Sequence, residues 1–170
     1  MELFEAMFTR RSVRKFLPKP VSAEIIEKIL RAAMSAPSAS DGRPWHFVVI
    51  DDRGKLDSVP EFHPYAAMFL GAPIAIVPCA DVSANAKNSA FWQQDMSAAT
   101  QNILLAVRAL GLGAVWVSAF PREDRVAGLR KMLNLPEHIL PLNLIPIGYT
   151  NVEQKAEDRF DPTRIHHNNW

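Results

Sequence analysis

A chain of 170 residues, 48% apolar and 22% charged, has the length and composition of one compact domain with its own core, residues 1–170 as a single unit. A formal net charge of only +1 leaves no broad basic face, which argues against nucleic acid or a membrane surface as partner. No apolar run approaches the roughly 20 residues that span a bilayer, and MELFEAMFTRR places an acid where a signal peptide carries its positive start, so the expected location is cytoplasmic.

In ELFEAMFTR, Leu3, Phe4, Met7 and Phe8 have the spacing of a helix with one buried stripe. VSAEIIEKILRAAMSA repeats the signature, with Ser22 as N-cap, Ile25, Ile26, Ile29, Leu30 and Ala33 on one face, and Pro37 as its stop. HFVVIDD reads as a short strand closed by a turn at Asp51 and Asp52, and PIAIVPCA as a second strand over 73–80. Between them, Lys55 to Met68 has no clear pattern. The longest helix is expected from about Asn88 to Leu110, with Met96, Ala99, Ile103, Leu104, Val107 and Leu110 at helical spacing, a face apolar enough for the middle of the molecule or of an oligomer. GLGAVWVSAF supplies a third strand, PREDRVAGLRKML a helix with Pro121 near its first turn, and LPLNLIPIGY a fourth strand. About twenty residues of unpatterned tail follow. Helices and strands alternate, so the class is α/β or α+β with helices on the faces of a small sheet.

Three stretches invite chemistry. In RRSVRKF, Arg10, Arg11, Arg14 and Lys15 crowd together; on a helical turn Arg10 and Arg14 share a face, with Ser12 between them. Guanidinium forks of this kind suit one phosphate monoester, although the same cluster is also what a solvated helix end looks like. In APSASDGRPWHF, Ser38 and Ser40 sit on a loop stiffened by Pro37 and Pro44, where backbone could approach a flat ligand or merely connect a helix to a strand. Gly111 and Gly113 do not make a dinucleotide fingerprint, because they follow a helix and open a strand; Gly111 instead reads as a left-handed helix cap. The five histidines show no metal spacing, the lone Cys79 inside an apolar strand reads as a small hydrophobe in keeping with a reducing compartment, and no acid/base dyad stands out.

RRSVRKF, APSASDGRPWHFVV, GLGAVWVSAF after a long helix, and IPIGY followed by EDRFDPTRIHHNNW together resemble the nitroreductase family of FMN-dependent oxidoreductases, four motifs in the right order over essentially the whole chain. The resemblance implies an α+β, three-layer subunit with a mixed central sheet flanked by helices, and a homodimer with FMN at the interface and a swapped C-terminal tail wrapping the partner. On matching positions, Arg10, Ser12 and Arg14 hold the phosphate and ribityl end with Arg11 beside them, and Pro37, Ser38, Ala39 and Ser40 approach the flavin from the partner. Trp116, Val117 and Ser118 pass the ring, and Arg159 adds a further phosphate cation. Asp41 and Arg43 stand where relatives commonly show asparagine and glutamine. Glu157 replaces a frequent lysine for which Lys155 could substitute, and Tyr65 and Met68 align only roughly with further flavin contacts.

The implied reaction takes a hydride from NADH or NADPH onto flavin N5 and then reduces a nitroaromatic or quinone from the same site by a ping-pong mechanism. No protein side chain need act as catalyst, because the chemistry belongs to the flavin. Two readings stay open beside it: a flavin-dependent dehalogenase or flavin-cleaving relative, and a non-catalytic binder of a phosphorylated metabolite.

Overall fold

The structure is a computed structural model that describes residues 1–83 and 89–170. Among the described residues, helices α1 (Leu3–Thr9), α2 (Ala23–Met34), α3 (Arg53–Phe62), α4 (Trp92–Ala109) and α5 (Glu123–Leu133) accompany a six-stranded sheet. Its strands are β1 (Trp45–Ile50), β2 (Ile74–Asp81), β3 (Gly113–Ala114), β4 (Val117–Ser118), β5 (Ile139–Pro141) and β6 (Asn143–Gly148).

β2 is buried from Ile74 to Ala80, as a strand with no polar side chain before Asp81 must be. Its residues alternate between two cores. Ala75, Val77 and Cys79 pack with Leu56 and Val59 of α3 and Leu129 of α5. Ile74 and Ile76 pack with Ile29 and Ala33 of α2 and with Ile103, Leu104 and Val107 of α4. Two helices on each face of one sheet give the three-layer α+β arrangement that the resemblance implies. β1, β5 and β6 all pair antiparallel with β2, and β3 and β4 pair antiparallel with β6. The parallel component of the sheet is the isolated bridge between Ser12 and Ala114 at the far edge.

Two predicted strands are each divided, and prolines account for both divisions. β3 and β4 keep one register on β6, Ala114 opposite Ile147 and Val117 opposite Leu144, so Val115 falls opposite Pro146, which has no N–H to give. The fourth predicted strand becomes β5 and β6 because Val77 and Pro78 of β2 face three residues, Leu142 to Leu144. That is a bulge, and it explains how Pro78 sits in a central strand: Leu142 N–H donates to its carbonyl at 3.0 Å.

Other expectations shift. α4 begins at Trp92 after a 3₁₀ turn, Ser89–Phe91; the expected start at Asn88 lies outside the described residues. Arg122 is the N-cap of α5, so Pro121 precedes that helix instead of entering its first turn. Gly111 has φ +77 just past the end of α4, the left-handed cap expected of it. Helix α3 occupies the stretch without pattern, and Asp52, read as a turn, is its N-cap, its Oδ1 accepting from Lys55 N–H at 2.8 Å. The stripe of α1 is not buried within the chain: Phe4 is 68% and Phe8 58% exposed, and only Ala6 is covered.

Cys79 is fully buried, and burial pushes its thiol up to about 12. A thiol reagent at about pH 8 is expected to leave the folded protein unlabelled and to label one cysteine per chain in denaturant; labelling at equal rates in both states would contradict this packing.

Candidate functional site

Arg10 caps the C-terminus of α1 with an extended backbone, φ −59 and ψ 125, so the run from Arg10 to Arg14 is strand-like and not the helical turn considered from sequence. Val13 N–H donates to Ala114 carbonyl at 2.9 Å, and the Val13 side chain is buried against Gly113. A Cβ on Gly113 would lie 2.6 Å from Val13 Cγ1, so glycine is what lets the two segments touch. With Val13 inward, the two-residue period of an extended chain puts Arg10, Ser12 and Arg14 on the opposite side. Arg11 turns back, its Nη1 accepted by the carbonyls of Phe8 at 3.0 Å and Arg10 at 2.7 Å at the end of α1.

One end of this run is an anion-seeking cluster. Burial, with the charges of Arg11 and Arg159, holds the Arg10 guanidinium below its ordinary pKa. Three cations from the two ends of the chain therefore share one neighbourhood. Arg11 Nη2 is buried without a hydrogen bond and lies 3.6 Å from Glu157 Oε2. Arg159 gives Nε and Nη2 to the same oxygen, and these bonds hold the Glu157 carboxyl below the usual range. Arg11 and Arg159 line a cavity of about 610 Å³ with Glu157, Asp158, Met7, Phe8 and Phe160, and Arg10 is not part of its wall. Lys155 pairs with Glu153 at 3.2 Å at the exposed surface.

The other end opens on a second cavity, of about 510 Å³, where Arg14 meets Trp116, Val117 and Ser118. The ladder is interrupted opposite Pro146, and that is where Val115 and Trp116 face this space. Tyr65 and Met68 line it too, as does His63, to which sequence reasoning gave no role because an isolated histidine inside an unpatterned stretch carries no signal. His63 is buried, with Nε2 2.9 Å from the Ser118 carbonyl and Nδ1 3.3 Å from Tyr65 N–H. A carbonyl only accepts, so Nε2 carries the hydrogen and Nδ1 receives. Arg125, from the first turn of α5, completes the wall.

The serine loop is built separately. Asp95, buried in the first turn of α4, accepts Ala39 N–H at 2.9 Å, and Ser38 Oγ accepts Arg43 N–H at 3.0 Å. Ser40, Asp41 and Arg43 have φ of 52, 52 and 45, left-handed geometry at three residues with side chains. Asp41 and Arg43 satisfy one another, Arg43 Nε donating to Asp41 Oδ1 at 2.7 Å. Pro37 and Ser40 are exposed. The twelve sequence-predicted residues thus fall into three groups: Arg10, Arg11 and Arg159; Arg14 with Trp116 to Ser118, joined to the first by Ser12; and Pro37 to Ser40 on the loop.

A protein of Methanothermobacter thermautotrophicus named NADH dehydrogenase/NAD(P)H nitroreductase is 51% identical over 170 residues, covering 100% of this chain and 88% of its own. The crystal structure of a NADH dehydrogenase/NAD(P)H nitroreductase from Bacteroides thetaiotaomicron, 48% identical, matches with a TM-score of 0.93 over 99% of this chain and 98% of the other. A nitroreductase from Desulfovibrio desulfuricans, solved in complex with FMN, is 27% identical, with a TM-score of 0.83 over 100% of this chain and 98% of its own. The Nitroreductase family is itself matched over residues 7–66 and 57–149, and the chain belongs to that family.

Proposed function

We propose that this protein is an FMN-dependent oxidoreductase that takes a hydride from NADH or NADPH and reduces a second acceptor, a nitroaromatic or a quinone, by a ping-pong mechanism. Residues 1–170 form one FMN-binding domain that works as a homodimer in the cytoplasm. The observation that carries this reading is the crowding of Arg10, Arg11 and Arg159 at one end of a strand whose other end, Arg14, meets an aromatic cavity.

The residues present fit the cofactor. Three clustered cations, two of them already drawn to the Glu157 carboxylate and one with a buried donor lacking a hydrogen bond, suit a phosphate dianion. The Trp116 to Ser118 strand and Met68 offer a largely apolar wall to a flat ring. Bound FMN supplies the two-electron chemistry. Arg10, Arg11, Ser12 and Arg159 bind its phosphate and ribityl end; Arg14, expected there from the resemblance, lines the cavity of Trp116 to Ser118 instead, where it favours electron-rich, anionic character. Pro37, Ser38, Ala39 and Ser40 reach the ring of the partner's site. The names of the relatives, which couple NAD(P)H with nitro reduction and one structure with FMN, support the same reading. The uncovered stripe of Leu3, Phe4, Met7 and Phe8 supports the homodimer, with Phe160, Ile165 and Trp170 of the tail as the apolar residues that wrap the second copy.

Protein purified with added FMN and then dialysed is expected to keep a flavin spectrum and to oxidise NADH or NADPH with a nitroaromatic or quinone acceptor. A colourless protein overturns the reading. A sedimentation mass of one chain at micromolar concentration overturns the dimer. Glu157 competes with phosphate for Arg11 and Arg159, so Glu157→Gln is expected to tighten FMN several-fold in a fluorescence titration. Weaker binding in that variant would mean that the carboxylate organises the site instead of obstructing it.

A further inference from the structure

The cavity beside Arg14 contains a second guanidinium that the proposed function leaves unused. Arg125 gives Nη1 to the Ser118 carbonyl at 3.2 Å, an oxygen it shares with His63 Nε2. Its Nε is buried with no hydrogen-bond partner, and it makes no ion pair among the described residues. A buried donor without an acceptor is costly, and more so on a cation. The guanidinium carbon lies 5.6 Å from the centre of the Tyr65 ring, and Tyr65 is 73% exposed. Arg14 and Arg125 are thus both on the wall of a cavity whose lining includes no carboxylate.

A flat, exposed ring beside a fixed cationic edge matches an aromatic molecule that carries its own negative charge, the ring lying along Tyr65 and the anion meeting the Arg125 fork. We infer that Arg125 and Tyr65 make this site select planar aromatic acceptors bearing a carboxylate, with Arg125 the residue that reads the charge. This rests on the flavin-enzyme reading above and names the substrate class of that site.

The test uses the FMN-loaded enzyme and two acceptors of the same shape, 4-nitrobenzoate and the neutral 4-nitrobenzamide. Wild type is expected to show the lower KM for 4-nitrobenzoate. Arg125→Gln should raise that KM by about tenfold while leaving 4-nitrobenzamide nearly unchanged, and Arg125→Lys, which keeps the charge but loses the fork, should fall between. Titration of the oxidised holoenzyme with benzoate and benzamide, read from the perturbed flavin spectrum, should give the same order without turnover. Equal affinities in wild type, or equal losses for both acceptors in Arg125→Gln, overturn the inference. An effect on discrimination between NADPH and NADH with none between the acceptors overturns it as well. A protein that holds no flavin overturns the earlier reading instead; calorimetry with benzoate and benzamide on the protein as purified then decides this one, and indistinguishable heats overturn it.

Discussion

Replacing Arg10 by alanine is expected to weaken FMN binding by roughly ten- to a hundredfold, the equivalent of losing one charge-assisted contact of about 1.5–3 kcal/mol. Two effects oppose one another in this variant, and they act on different states. In the protein without cofactor, Arg10 is a half-buried cation beside two others, and its removal relieves both desolvation and repulsion. In the proposed complex, the same cation faces a dianion. The melting temperature of the apoprotein should therefore stay level or rise, while the gain in melting temperature at a fixed FMN concentration shrinks. Titration of flavin fluorescence gives the dissociation constants directly. Unchanged affinity would remove Arg10 from the site, and a lower apo melting temperature would mean that its side chain supports the apo fold, since alanine keeps the backbone N–H that caps α1.

Gly113→Ala is expected to be the most damaging small substitution near the site. The added methyl would lie 2.6 Å from Val13 Cγ1, 2.8 Å from Val13 Cβ and 3.0 Å from Thr150 Cγ2. Val13 is stiff and buried, so the clash cannot be absorbed by a swinging side chain. The Arg10 to Arg14 strand must move away, breaking the bond from Val13 N–H to Ala114. Overpacking of this kind costs about 1–3 kcal/mol, or roughly 2–12 °C in a domain of this size. Because the displaced strand carries Arg10, Ser12 and Arg14, FMN affinity should fall with stability. A variant that melts like wild type and binds FMN equally would show that the strand is not seated as described. Gly128 is a useful control: its Cβ would meet the Phe62 ring at 2.4 Å, between α5 and α3, so alanine there should lower stability through packing away from the arginine cluster.

Elements whose burial is periodic were legible in the sequence. α2 packs Ile25, Ile26, Ile29, Leu30 and Ala33 as read, and α4 buries Met96, Ala99, Ile103, Leu104 and Val107. α3 was not legible, because RGKLDSVPEF contains Gly54 and Pro60 and buries only Leu56 and Val59 fully; its one clear signal was Asp52, an N-cap that also fits a turn. The divided strands could not be foreseen from their own residues. Each break arises from a proline on a neighbouring strand, Pro146 for one and Pro78 for the other, and that depends on register. The crowding of cations in the first motif was readable, but the common side of Arg10 and Arg14 comes from a strand period and not a helical one. His63 and Arg125 join the cavity through tertiary packing alone, from segments with no motif. The stripe on α1 was read correctly as apolar, and it is left uncovered within this chain, a distinction that helical spacing does not carry.

The left-handed residues of the serine loop have a mechanical consequence. Holding Ser40, Asp41 and Arg43 at positive φ costs about 1–3 kcal/mol apiece, while Gly42, the one residue suited to that geometry, has an ordinary φ of −69. The loop is thus a wound spring, and its catch is the Asp95 carboxylate gripping Ala39 from the opening turn of α4. Any molecule that displaces the loop must break that catch and also the loop's own bonds, in which Ser38 accepts the N–H groups of Asp41 and Arg43.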